Sequence, residues 1–374
     1  MYHTQAQSAR AYPHLVIIHG IQNYRDTLAM IFRHVKVHLR GTVTGCCIFL
    51  FHLSPFSTAF AQKDYAGQIA KLFSLDSLTI VITDSGLGGL SVCAELEAYL
   101  GSLKSISHVR LVFVNALPDA ASPYNAMADK ARQLRVFDDA LTGMKRWYHP
   151  DVILIACNTL SALYPETSAS SKEDIPVVSI IDVGSKMIAD RAKKSESSLF
   201  LILGTPTTIT SGIYVKQLAA LGVPQDRIVS QSCRLLETEI QADPTSDVVS
   251  SLVEMYVDEA MEKIDTKRVG KISVGLCCSH YGYSADAFSQ ALKQKVGDRF
   301  ELLNPNKAMV ALFTVAGRVR PDKPTKTSVE VVSMVPFTEQ EIQSIAGTLN
   351  KTSRKTANAL RRYQRKEDLF PFKK

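Results

Sequence analysis

From residue 76 onward the chain repeats one unit: a short apolar run rich in β-branched residues, a loop, then a stretch of helical character. The runs are Leu78 to Thr83, Val109 to Val114, Val152 to Ala156, Val177 to Ile181, Leu199 to Leu203 and Ile272 to Leu276. Strands wetted on one face alternate polar and apolar residues, whereas near-continuous runs like these suit strands buried on both faces. Helix-like segments lie between or after them at Ser91 to Leu100, Ala126 to Trp147, Ser185 to Lys193, Gly212 to Leu221, Val248 to Ile264 and Ser284 to Lys295. Such alternation predicts an α/β fold built on parallel sheets, with functional residues at the carboxyl ends of the strands.

At 374 residues the chain exceeds one ordinary domain, so two are expected. Polar connections at Lys172-Glu173-Asp174 and Asp265 to Gly270 suggest the divisions. The first α/β domain is expected at 76–174 plus 284–335 and the second at 175–283. After Pro336, Thr338-x-x-Glu341 reads as a capping box opening a C-terminal helix that passes into a basic tail, together spanning 336–374. That tail explains the charge. Residues 351–374 hold nine Lys/Arg and two Asp/Glu, which is the whole of the net +7. The remainder is balanced and offers no basic footprint for nucleic acid. The tail reads as a solvated helix end, with binding to an anionic surface or an oligomer contact as the alternative.

Residues 1–61 read as an N-terminal extension. Within it, Arg33, Lys36 and Arg40 precede an apolar stretch around Cys46 to Phe51, and Ala59-x-Ala61 follows, which is the layout of a signal peptide over 30–61 cleaved before Gln62. A buried or disordered extension is the alternative. The apolar run is too short to anchor in a membrane, so no stable insertion is expected after cleavage. A periplasmic or secreted location follows if the signal is real, and a cytoplasmic one otherwise. Cleavage would leave Cys93, Cys157, Cys233, Cys277 and Cys278. An odd, irregularly spaced set with no Cys-x-x-Cys supports neither a disulfide framework nor a structural zinc site.

Three strand ends carry unusual residues. The run Leu78 to Thr83 ends in Asp84-Ser85-Gly86-Leu87-Gly88-Gly89, glycines that let backbone amides approach a ligand anion or simply make a tight turn. Its spacing matches neither a dinucleotide fingerprint nor a phosphate loop. The others are Ala156-Cys157-Asn158-Thr159 and Cys277-Cys278-Ser279-His280-Tyr281. Either cysteine alone is readily a small buried hydrophobe. Two at strand ends, one in each half of the chain, look like matched halves facing each other across a cleft.

Together with Pro123-Tyr124 and Gly204-Thr205-x-x-Thr208-Ile209-x-Ser211-Gly212-x-Tyr214, these motifs occur in the order seen in the cofactor-independent aspartate/glutamate racemase family, and the chain most resembles its glutamate-specific branch over about 76–315. The resemblance implies two pseudo-symmetric, flavodoxin-like α/β domains with an amino-acid site between them, worked by one cysteine from each side and needing no cofactor. Inverting an α-carbon requires a base on one face and an acid on the other, so the two groups must flank the substrate. Cys157 and Cys278 suit those roles, one as thiolate while the other is thiol. By similarity to the family, Asp84 and His280 assist them, and Ser85, Pro123, Tyr124, Asn125, Asn158, Thr159, Thr205 and Ser279 line the substrate site. Glu237 or Glu239 is a candidate for the further acid that the family carries in its second domain, the choice left open and a solvated helix residue the alternative for either, and Cys93 reads as packing.

The expected activity is interconversion of L- and D-glutamate, with a small acidic amino acid as partner and a homodimer as a compatible assembly. Departures stand at Asn125, where the family usually has Gly, at Asn115, where aspartate is common, and at Cys277, a second thiol beside the active one. They leave open aspartate as substrate, a hydantoin- or maleate-type isomerase, or a binding protein that uses the same cleft without chemistry. Supply of D-glutamate for peptidoglycan is cytoplasmic work, so export would point instead to catabolism, remodelling or signalling.

Overall fold

The computed structural model describes residues 63–104, 106–127, 129–172, 174–195, 197–266, 269–314 and 324–372. The signal segment expected at 30–61 lies outside the described residues. The chain runs α1 (Tyr65–Leu72), β1 (Ser77–Asp84), α2 (Leu90–Ser102), β2 (His108–Asn115), α3 (Lys130–Tyr148), β3 (Val152–Ile155), α4 (Asn158–Leu163), β4 (Val177–Ser179) and α5 (Ile180–Ala192). A second set follows: β5 (Ser198–Gly204), α6 (Pro206–Thr210), α7 (Ile213–Ala220), β6 (Ile228–Ser232), α8 (Leu236–Ala242), α9 (Asp247–Met261), β7 (Lys271–Cys277), α10 (Ala285–Val296) and β8 (Phe300–Leu303). The chain then returns through α11 (Pro305–Ala311), β9 (Lys326–Ser333), α12 (Glu339–Leu349), α13 (Arg354–Arg361) and β10 (Gln364–Arg365).

These strands form two sheets, ordered β10-β9-β2-β1-β3-β4 and β6-β5-β7-β8, with every pair parallel. Each sheet defines a lobe and is covered on both faces. Ile80, Ile82 and Leu154 pack one way in the first sheet while Val81, Ile153 and Ile155 pack the other. In the second, Leu201, Leu203 and Val274 oppose Phe200 and Ile202. This is the α/β architecture that the apolar runs required.

The lobe boundaries differ from those expected at 175 and 283. Val177–Ser179 pairs with β3 and so completes the first sheet, while Phe300–Leu303 pairs with β7 and belongs to the second. The apolar run at 177–181 is half strand and half helix, because Ser179 caps α5 and turns the chain out of the sheet. α10 packs on α9, placing the segment after 283 in the second lobe. The C-terminal segment also differs. The capping box forms, with the Thr338 hydroxyl accepting from the Glu341 amide and the Glu341 carboxylate accepting from the Thr338 amide. The helix it opens ends at Leu349, however, and Ser353 caps α13 before β10 joins the first sheet. Far from being a solvated end, the tail buries Ala357, Leu360, Leu369 and Phe370 while Lys351, Arg354, Lys355, Arg361, Arg362 and Arg365 stay outward. The Leu369 carbonyl accepts the Trp147 indole N–H at 3.1 Å, over Gly143, where a Cβ would stand 2.4 Å from that carbonyl.

Candidate active site

Parallel pairing brings the carboxyl ends of the strands into one row in each lobe. In the first, Asp84 ends β1 and Cys157 follows β3; in the second, Thr205 follows β5 and Cys278 follows β7, with Gly204 paired opposite Cys277. The two rows face each other. Ser279 Oγ donates to Asp84 Oδ2 at 2.6 Å, Thr159 and Thr205 share a hydroxyl hydrogen bond of 2.9 Å, and Asn125 Nδ2 donates to Glu237 Oε1 at 2.8 Å. Each contact joins one lobe to the other.

The glycine loop makes this approach feasible. A Cβ on Gly88 would stand 2.4 Å from Ser279 Oγ and 2.7 Å from the His280 backbone nitrogen. The loop therefore serves the seating of one lobe against the other, and the Gly89 amide it presents donates inward to Asp84 Oδ2 at 2.6 Å.

Both candidate thiols are buried, Cys157 at 4% and Cys278 at 5% exposure. Burial, then the negative charge of Asp84, pushes the Cys157 thiol up. Opposing them are the Ser85 hydroxyl, 3.3 Å from Cys157 Sγ, and the Leu160 and Ser85 amides, which favour the thiolate. Cys278 is likewise raised by burial and then by Glu237, with the His280 amide working the other way. His280 Nδ1 lies 3.8 Å from Cys278 Sγ, and burial lowers the pKa of the ring, favouring its neutral form against the opposing fields of Asp84 and Glu341.

Asn158 Oδ1 accepts from Tyr214 at 2.7 Å, while its buried Nδ2 finds no partner within the protein and is a donor available to a ligand anion. Tyr124 is buried and spends its hydroxyl on the Ala116 carbonyl at 3.2 Å, while Pro123 lies exposed before it. Of the two acids left open, Glu237 pairs with Asn125 across the cleft; its carboxyl is pushed up by burial, and Oε2 is buried without a protein partner. Asn115 is structural, its Nδ2 donating to Ser333 Oγ at 3.1 Å and its Oδ1 accepting the Leu117 amide. Cys277 faces away from Cys278, among Ile188, Phe200, Ile202 and Tyr214. Cys93 packs in the core beside the first sheet.

Sequence reasoning missed Gln241 and Asn306. Gln241 Oε1 accepts from the Leu87 amide at 2.8 Å and meets His280 Nε2 at 3.0 Å; Asn306 Nδ2 donates to the Ser279 carbonyl at 2.9 Å. The available signal was spacing, since Glu237 and Gln241 lie four apart on α8 and so share one face. Among the described residues no group of three or more His, Cys, Asp or Glu is placed to hold a metal ion, and no helix is long and apolar enough to cross a membrane. Surface cavities of about 770 and 670 Å³ are lined by residues such as Tyr164, Asp182 and Leu312 and by Pro118, Arg146 and Phe370. Neither contains a candidate thiol.

Comparison with known proteins places the chain in a family. A family model described as Asp/Glu/Hydantoin racemase matches residues 81–312, and the chain belongs to that family of isomerases. It is 30% identical over 207 residues to a glutamate racemase of Streptococcus thermophilus (strain ATCC BAA-491 / LMD-9), covering 55% of this chain and 69% of the relative. A glutamate racemase of Streptococcus gordonii is 29% identical over 208 residues, 55% and 70% of the two chains. Among solved structures, glutamate racemase from Campylobacter jejuni subsp. jejuni shares the fold with a TM-score of 0.55 at 22% identity, over 73% of this chain and 98% of that one. Glutamate racemase from Francisella tularensis subsp. tularensis SCHU S4, solved in complex with D-glutamate, gives 0.54 at 18% identity, over 74% and 94%.

Proposed function

We propose that this amino-acid racemase acts on glutamate, with Cys157 and Cys278 as the two proton-transfer groups. The observation that carries this reading is the placement of two buried thiols at matched strand ends of opposing lobes, with the Ser85 hydroxyl and the Ser85 and Leu160 amides favouring the thiolate of Cys157 and the His280 amide that of Cys278. One thiolate takes the Cα proton, and the C–H electron pair moves into the adjoining carboxylate. The thiol on the opposite face then gives up its own proton to Cα, leaving a thiolate there and an inverted centre. Asn158 Nδ2 and the amides at the strand ends are suited to hold the α-carboxylate. Glutamate as the substrate is supported by the names of the relatives and by the neutral donors in the cleft.

The test is the decay of circular dichroism when purified, reduced protein is incubated with L-glutamate and, separately, with L-aspartate. Decay with glutamate that is absent from both Cys157→Ala and Cys278→Ala supports the reading. Decay with aspartate alone replaces the substrate, decay that survives either substitution rejects the two-thiol mechanism, and binding by calorimetry without decay favours a binding protein.

A further inference from the structure

Gln241 stands at the junction of three elements. Its side chain meets the Leu87 amide from the glycine loop, His280 after β7, and Glu341 on α12, a helix beyond the family-matched residues 81–312. The chemistry of two of these neighbours fixes its orientation. A backbone N–H only donates, so the Gln241 atom 2.8 Å from Leu87 N is the amide oxygen. A carboxylate only accepts, so the atom 2.5 Å from Glu341 Oε1 is the amide nitrogen. With its oxygen turned to His280 Nε2 at 3.0 Å, the amide requires that nitrogen to carry the ring proton. In a neutral ring, Nδ1 is then bare, and it faces Cys278 Sγ.

We infer that Glu341 is a positioning residue which, through Gln241, holds His280 in the tautomer that accepts the Cys278 proton at Nδ1. The step is a simple transfer. The Cys278 S–H bond breaks, its electron pair stays on sulfur, and an N–H bond forms at Nδ1, giving the thiolate that the Cα proton meets. Asp84 and Glu341 are the charged groups whose fields favour the resulting imidazolium, Tyr283 sets its ring edge-on to His280, and the Gln241 carbonyl keeps the Nε2–H bonded throughout. Glu341 has two tasks, one for each oxygen. Oε2 closes the capping box with the Thr338 amide at 2.8 Å and hydroxyl at 2.9 Å, while Oε1 holds Gln241. The start of a C-terminal helix is thereby tied to the proton chemistry of the other lobe.

The kinetic part of this inference rests on the two-thiol reading, but the tautomer does not. Glu341→Ala and Thr338→Ala both break the capping box, and only the first releases Gln241. In full-length protein labelled with ¹⁵N-histidine, the His280 ring signals, assigned against His280→Asn, should report the Nε2–H tautomer in wild type and Thr338→Ala and a mixture of tautomers in Glu341→Ala. In racemisation, Glu341→Ala should lower kcat about tenfold or more with KM little changed and move the acid limb of the kcat profile, while Glu341→Gln, which keeps an acceptor, restores both. An unchanged tautomer in Glu341→Ala, or kcat loss equal to that of Thr338→Ala, overturns the inference. If Glu341→Ala does not fold, a Nδ1–H tautomer in wild type overturns it and Nε2–H supports it. If wild type racemises no amino acid, the racemase reading falls while the tautomer measurement still decides the relay.

Discussion

The Asp84 carboxylate receives two short hydrogen bonds on one oxygen, from the Gly89 amide of its own loop and from the Ser279 hydroxyl of the opposing lobe, both at 2.6 Å. It is the charge nearest in effect to Cys157, whose thiol it raises after burial has done most of the work. Asp84→Asn should therefore shift the thiolate transition of Cys157 to lower pH while leaving it above that of a free thiol, because the larger cause remains. The pH dependence of Cys157 alkylation, read by mass spectrometry, measures this. An unmoved or higher midpoint would show that Asp84 does not govern that thiol.

Gly88 is another point at which the lobes meet. Gly88→Ala should hold them apart, since the added carbon would overlap Ser279 Oγ and the His280 backbone. Steady-state racemisation should fall by about 100-fold or more in kcat/KM, with the far-ultraviolet circular dichroism unchanged. Retained activity would mean that the glycine is needed only for its turn.

Glu237 is a carboxyl held above its ordinary value of 4.5, first by burial, with a hydrogen bond from Asn125 only partly opposing the shift. A raised folded-state value means that its contribution to stability is complete below the unfolded value and is lost as pH rises through the folded one. Glu237→Gln removes that loss and keeps the oxygen that Asn125 bonds. Its melting temperature should match wild type near pH 4 and exceed it by a few degrees at neutral pH, a difference of about 1 kcal/mol. Calorimetry at the two pH values checks this, and a variant less stable at neutral pH would reverse the sign.

Cys277, although adjacent to Cys278, is turned into the apolar layer, and burial pushes its thiol up to about 12. Cys277→Ala should keep kcat within about twofold and cost roughly 1 kcal/mol of stability through the small cavity it leaves. Racemisation rates and urea unfolding separate the two effects. A large loss of kcat would place this sulfur in the reaction.

The first sheet's central strands and both thiols were legible because each rests on a local signal: a strand buried on both faces must be apolar along its length, and a cysteine at its carboxyl end stands out against that run. β6 (Ile228–Ser232) and β9 (Lys326–Ser333) carry no such signal, since their half-buried residues admit serine, glutamine and glutamate. β10 is two residues long and exists only through its pairing with β9. The assignment of Val177–Ser179 to the first sheet was hidden for another reason: an apolar run does not say which of two sheets it joins. The Gln241 and Glu341 contacts lay beyond the motif positions, because they depend on α8 and α12 converging from separate parts of the chain.

The first sheet is assembled from two stretches of sequence with the whole second sheet threaded between them. During synthesis the inserted sheet has all four of its strands once Leu303 has emerged, whereas the sheet begun earlier still lacks β9 and β10. The half of the molecule translated first is thus the half completed last, and β2 must keep an open edge until residues 326–333 arrive to cover it.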